Sequence, residues 1–137
     1  MATVIRAKIS EKNKYWIDKH RHYELKHFCL QYPSWKRAYN NLDGFKGKNI
    51  DIYSRTSIPI DPTGKIVEMR DLYLERMDMV KRIAYEADRD LGSYIFIAVT
   101  EGLSYTYLKA KLDIPCGRDM YYDRYRRFFW LLSQTRF

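Results

Sequence analysis

Between Asp18 and Tyr32 the apolar residues Leu25, Phe28, Cys29 and Tyr32 fall at i, i+3, i+4 and i+7, while the other faces carry Lys19, Arg21 and Lys26. That is the stripe of an amphipathic helix. Pro33 and Ser34 punctuate it, and Trp35, Ala38, Tyr39 and Leu42 repeat the helical spacing until Asp43 and Gly44, which predict the end of a second helix. Residues 1–42 are therefore expected to form a basic arm and a helical hairpin. Residues 43–64 hold three of the six glycines and two of the four prolines, and Ile50, Ile52, Ile58 and Ile60 alternate locally. This stretch reads as a loop, with or without a short β-ribbon. A connection of that length inside a compact domain is often functional or mobile.

From Ile66 to Ala87 the apolar positions Met69, Leu72, Tyr73, Met77, Val80, Ile83, Ala84 and Ala87 keep a 3.6-residue period and predict a long central helix. Its residues Glu68, Asp71, Glu75 and Asp78 make an acidic stripe, which reads as solvated surface or as a face turned to the basic first helix or to a partner. A further helix over Asp90–Thr100, with Leu91, Tyr94, Ile95, Ala98 and Val99, is apolar enough for burial on most sides. The architecture expected is all-α. The long helix continues into a terminal domain spanning residues 65–137.

In the segment that follows, Ser104 is a good N-cap for a short helix whose Leu108 and Leu112 face inward, and Asp113 tolerates the left-handed conformation that ends it. Ile114 is then the apolar pin of a tight turn, after which Pro115 can start a second helix. In that helix Tyr121, Tyr125, Phe128 and Leu132 should pack inward with Phe129 beside them. The opposite face is left with Asp119, Tyr122, Asp123, Arg126 and Trp130, flanked by Arg118, Arg124 and Arg127. Arginine forks suit guanine edges and phosphates, and an aspartate can accept from cytosine, so this face has the groups that major-groove reading needs.

The chain has 137 residues, a length that fits one compact domain or a small domain plus an arm. With 46% apolar and 16% aromatic residues it has material for a core, which excludes wholesale disorder. The longest apolar run, Tyr94 to Val99, is far short of the ~20 residues of a bilayer span. The basic N-terminus has no apolar stretch of signal-peptide length, so no membrane association or export is expected. Cys29 and Cys116 form neither a disulfide framework nor a CxxC signature, which fits a reducing cytoplasm.

Charge changes the picture more. The formal net charge is +8, and it sits at the two ends: residues 1–48 hold 11 basic and 4 acidic side chains, 49–100 hold 7 and 9, and 101–137 hold 7 and 4. A basic surplus favours a polyanionic partner, because each neutralised phosphate releases counterions, although it also serves plain solubility. Other chemistries find little support. His20, His22, His27 and Cys29 cluster in sequence, but on a helix His20 and His22 point apart and His20 to His27 spans ~10 Å, too far for one ion. The Gly44–Lys48 segment lacks the phosphate-loop spacing. No nucleophile, base and orienting group fall at spacing that a helix or turn unites, so neither an enzyme nor a metal or other cofactor is expected. The 13 tyrosines, 6 phenylalanines and 3 tryptophans stand mostly at helical spacing and read as core rather than as stacking platforms.

The run Glu101-Gly102-Leu103-Ser104-Tyr105, followed by Leu108, Leu112, Ile114 and Gly117, resembles the helix-turn-helix of region 4 of the bacterial sigma-70 superfamily. The wider layout, with YELKHFCLQYPSWKRAY near the start, is similar to that of the RinA and ArpU group of phage late-gene transcription regulators. Lys109 stands where the sigma pattern usually has a small residue, and Asp113 where it often has glycine. The resemblance implies sequence-specific binding of double-stranded DNA near a promoter, in a phage or prophage setting. Arg118, Asp119, Tyr122 and Arg126 would then face base edges, and Arg124, Arg127, Lys109, Lys111 and the basic N-terminal third would hold the backbone. A two-fold homodimer through Phe128 to Leu132 would bind half-sites about one helical turn apart. The alternative is a sigma-like interaction module of a phage-encoded inhibitor, which uses the acidic stripe and the central loop to bind RNA polymerase or a host nuclease complex.

Overall fold

A computed structural model describes residues 11–48 and 62–136, and every regular element among them is a helix. In chain order these are α1 Lys19–Leu30, α2 Tyr32–Lys48, α3 Pro62–Ala87, α4 Gly92–Glu101, α5 Tyr105–Leu112 and α6 Arg118–Thr135. The chain clusters into two compact units. One takes in the residues up to Gln31 and from Val80 onward, and the other is Tyr32–Met79. The division falls inside α3 and places α1 with the C-terminal helices, whereas the sequence suggested a hairpin of α1 and α2.

In the first unit the physical reason is the stripe on α1. Leu25, Phe28 and Cys29 are buried, and α1 packs against α4 and α6. Ile83, Ile95, Leu108, Phe128, Phe129 and Leu132 complete an interior in which none is more than 1% exposed. Burying each such side chain is worth about 1.5–3 kcal/mol. The Arg21 guanidinium pairs with Glu24 and donates to the carbonyls of Ser133, at 3.3 Å, and Arg136, the C-terminal carbonyls of α6 that lack helical partners. Arg136 in turn lies 3.9 Å over the Phe28 ring. Phe128, Phe129 and Leu132 are thus interior residues, which corrects the dimer face expected at Phe128 to Leu132.

The Cys29 and His22 side chains are also absorbed into this packing. Burial pushes the Cys29 thiol up to about 12, so it stays protonated, and the His22 and Phe129 rings meet edge to face with centroids 4.8 Å apart. No group of three His, Cys, Asp or Glu residues suited to a metal is found among the described residues.

Helix α4 follows a close approach. A Cβ on Gly92 would lie 2.5 Å from Cδ1 and 2.9 Å from Cα of Tyr85, so the backbone of α3 itself occupies the space. Gly92→Ala is therefore expected to lose a net ~1–2 kcal/mol, although alanine is the better helix former, because overpacking outweighs propensity. Urea unfolding checks this, and a gain in midpoint would contradict it.

In the second unit Trp35, Ile66 and Met77 are buried. The Arg76 guanidinium lies 5.8 Å from the Trp35 ring, and that of Arg70 lies 5.2 Å from Tyr39. Met69 and Leu72, expected to face inward, are 38% and 44% exposed. Leu72 is about 240° around the helix from Ile66, and the buried stripe here is narrower than the period suggested. The Glu68, Asp71, Glu75 and Asp78 side chains are all exposed. Burial, and after it the charge of Asp78, raises the Tyr32 phenol above its ordinary value.

The connection between α2 and α3 is shorter than the loop expected over 43–64. α2 runs through Asp43 and Gly44 to Lys48, and α3 begins at Pro62. Glycine inside a helix costs about 1 kcal/mol, a bias and not a stop, and proline is tolerated in a first turn. The alternation of Ile50, Ile52, Ile58 and Ile60 lies outside the described residues.

Candidate nucleic-acid interface

The segment from Gly102 to Thr135 assembles from local rules. Gly102, at φ 71°, ends α4 in the left-handed region, and Ser104 opens α5 in extended conformation with its hydroxyl accepting the Tyr107 N–H at 3.2 Å. Asp113, at φ 50°, ends α5, and the Ile114 N–H returns to the Leu108 carbonyl at 3.3 Å in a Schellman-type closure. Ile114 itself is fully buried, as its place in the pattern predicts. Lys109 reaches across the turn and donates to the Ile114 carbonyl at 3.3 Å.

Pro115 does not start α6. The Tyr105 hydroxyl donates to the Cys116 carbonyl at 2.7 Å, which takes that carbonyl out of a helical ladder, and α6 begins instead at Arg118 after Gly117. Leu112 is 39% exposed and not inward, since it is the last residue of α5 and the chain turns away at Asp113. The inward face of α6 is as the period predicts, with Tyr121, Tyr125, Phe128, Phe129 and Leu132 buried.

The residues expected to meet DNA divide into three groups. Arg118 and Asp119 are exposed in the first turn of α6, and Lys111 is exposed on α5. Arg118 is aimed by two contacts, a hydrogen bond to the Thr106 hydroxyl at 3.3 Å and a cation–π contact 5.1 Å from the Tyr105 ring. Asp119 also complements the positive end of the α6 dipole. The second group is partly engaged. Lys109, 53% exposed, braces the turn and lies 4.0 Å from Asp113, Arg127 donates to the Tyr15 hydroxyl at 3.2 Å, and Arg126 is half-buried.

The third group is corrected by the structure. Tyr122, expected at a base edge, is only 8% exposed, because the rings of Tyr105, Tyr121 and Tyr125 surround it at 5.1–6.4 Å. Arg124, expected on the DNA backbone, is bound at 2.9 Å to Asp88 and at 2.8 Å to Asp123. Its charge is spent inside the protein. Burial opposes ionisation of Asp88, but the Leu91 N–H, the Arg124 guanidinium and the Asp90 N–H together hold its carboxyl below the ordinary aspartate range.

Thr106, Tyr105 and Asp88 are the positions that sequence reasoning missed. Thr106 carries a weak signal, since it lies two residues past the N-cap on a polar face. The partnership of Asp88 with Arg124, 36 residues away, carries none. Among the described residues no helix is long and apolar enough to cross a membrane. Comparison of the chain with known protein families, curated proteins and solved structures returned no match.

Proposed function

We propose that the protein is a sequence-specific regulator of transcription that binds double-stranded DNA, as the sigma region 4 resemblance of its C-terminal segment implies. The observation that carries this reading is the exposed pair Arg118 and Asp119 in the first turn of a helix braced by a tight turn against α5. In helix-turn-helix proteins the leading residues of the second helix meet the base edges. Arg118 would donate its fork to guanine and Asp119 would accept from cytosine, with Arg126 two turns behind them. Lys109, Lys111 and Arg127 would meet phosphates. Tyr122 and Arg124 have no part in this contact.

An electrophoretic shift on genomic fragments with a salt titration tests it. Affinity should fall steeply with salt. Arg118→Ala should cost about 1–3 kcal/mol and relax the preference at one base pair, whereas Lys111→Ala should weaken all sequences alike. No retardation at low salt would sink the proposal. A second reading, a module that binds RNA polymerase, is favoured by one feature of the second unit. Val67, Met69, Leu72 and Leu74 on α3 are each 38–44% exposed among the exposed carboxylates Glu68, Asp71, Glu75 and Asp78. Capture of the chain on immobilised polymerase, with every duplex left unshifted, would favour that reading.

A further inference from the structure

Ahead of α1 the chain makes a tight turn whose parts converge on α6. The Asn13 side-chain carbonyl accepts the Tyr15 N–H at 2.8 Å, and its backbone carbonyl accepts the Trp16 N–H at 3.0 Å. The turn drives Tyr15 inward, to 7% exposure, with its ring 5.7 Å from that of Trp130. Lys12, Lys14 and Trp16 on either side stay exposed.

Two cations meet on this one ring. Arg127 donates to the Tyr15 hydroxyl, with its guanidinium 6.0 Å from the ring centroid, and the Lys14 ammonium lies 5.0 Å from the same centroid. Both cations are thus held beside one buried ring, and each keeps a charge that a phosphate could neutralise. The hydrogen bond from Arg127 lowers the Tyr15 phenol below its ordinary range, burial opposes this, and Lys14 adds to the lowering, so the site is electropositive. Of the carboxylates close in sequence, Glu11 is exposed, Asp18 accepts the His20 N–H as the cap of α1, and Asp123, one turn before Arg127, is paired with Arg124.

We infer that the turn of residues 12–16, pinned by Tyr15 on Trp130, is a second phosphate-contacting surface, made by Lys12, Lys14 and Arg127, for the same DNA duplex that α6 reads. The inference rests on the proposed function and narrows the backbone contact expected of the basic N-terminal third to one turn and its partner on α6. Nine residues of α6 separate Arg118 from Arg127, about 14 Å along the axis. Nine positions also turn the helix by about 180°. The Lys14 and Arg127 pair therefore projects from the side of α6 opposite Arg118, away from the bases that Arg118 would read and towards a phosphate strand bordering the groove, which is about 12 Å wide.

The test uses the full chain and a duplex that the wild-type protein retards. In the double variant Lys12→Gln with Lys14→Gln, the slope of log affinity against log salt should fall by about 1.8, one released counterion set for each lysine. The ratio of affinities for that duplex and a scrambled one should stay unchanged. Lys12→Arg with Lys14→Arg, which keeps both charges, should restore the slope. A slope unchanged in the glutamine variant, while Arg118→Ala still weakens binding, overturns this inference and leaves the regulator reading standing. Loss of sequence preference in the glutamine variant also overturns it, because the lysines would then be reading bases. An equal slope change on single-stranded DNA of the same sequence overturns the commitment to a duplex. A wild-type chain that retards no duplex overturns both proposals.

Discussion

Ile114→Ala is expected to cost about 3 kcal/mol of folding stability, within the ~2–5 kcal/mol typical of truncating a fully buried aliphatic side chain. Ile114 has no exposed surface and sits where the chain reverses between α5 and α6. Its N–H and carbonyl are both engaged, by Leu108 and by Lys109, so the backbone is fixed and cannot collapse into the space that truncation opens. The residual cavity then adds to the lost transfer energy. Urea unfolding should show a lower midpoint with an unchanged denaturant slope. A loss below about 1 kcal/mol would mean that the hydrogen bonds alone hold the turn. The variant should also weaken duplex binding more than Lys111→Ala does, since Ile114 fixes where Arg118 and Asp119 begin.

Asp88→Ala is expected to cost about 3 kcal/mol at neutral pH, and the part of that cost due to the ionised carboxylate should be lost in acid. The Asp88 carboxylate is 12% exposed and closes the turn between α3 and α4. One oxygen accepts the N–H groups of Asp90 and Leu91, each at 2.9 Å, and the other accepts from Arg124. Its removal orphans two backbone donors. It also leaves Arg124, about a third exposed, with Asp123 alone, a smaller share of the loss because solvent screens that guanidinium. Folding depresses the Asp88 pKa, so its contribution is present above the unfolded-state value and is lost as pH falls through the folded-state value. Urea unfolding of both proteins at pH ~7 and pH ~2 should show a wide gap that narrows in acid. A gap independent of pH would contradict the assignment of the stabilisation to the ionised carboxylate.

The elements that periodicity and capping predict are present. Ser104 caps α5, Asp113 takes the left-handed conformation, Ile114 is buried, and the aromatic stripe of α6 faces inward. Each depends on residues within about two turns of one another, so the information lies in one short window. The misreadings share a different cause. Pro115 looked like a helix start until the Tyr105 hydroxyl claimed the Cys116 carbonyl, and Tyr122 looked exposed until Tyr105 closed over it. Arg124 looked like a free cation until Asp88 bound it. The glycine and proline content of residues 43–64 overstated the loop, because at Gly44 and Pro62 the helical backbone tolerates both residue types.

Local chemistry therefore settles the all-α class, the position of the turn between α5 and α6, and which side of α6 is apolar. Those properties follow from the 3.6-residue period and from side chains that satisfy backbone groups a few residues away. Packing of distant segments decides which polar residues remain available to a partner. Among the four arginines of α6, it leaves Arg118 exposed but held by Thr106, half-buries Arg126, ties Arg127 to Tyr15 and locks Arg124 to Asp88. No pattern along α6 distinguishes these four, because each partnership is a long-range contact whose entropy of closure is offset only when the whole unit folds.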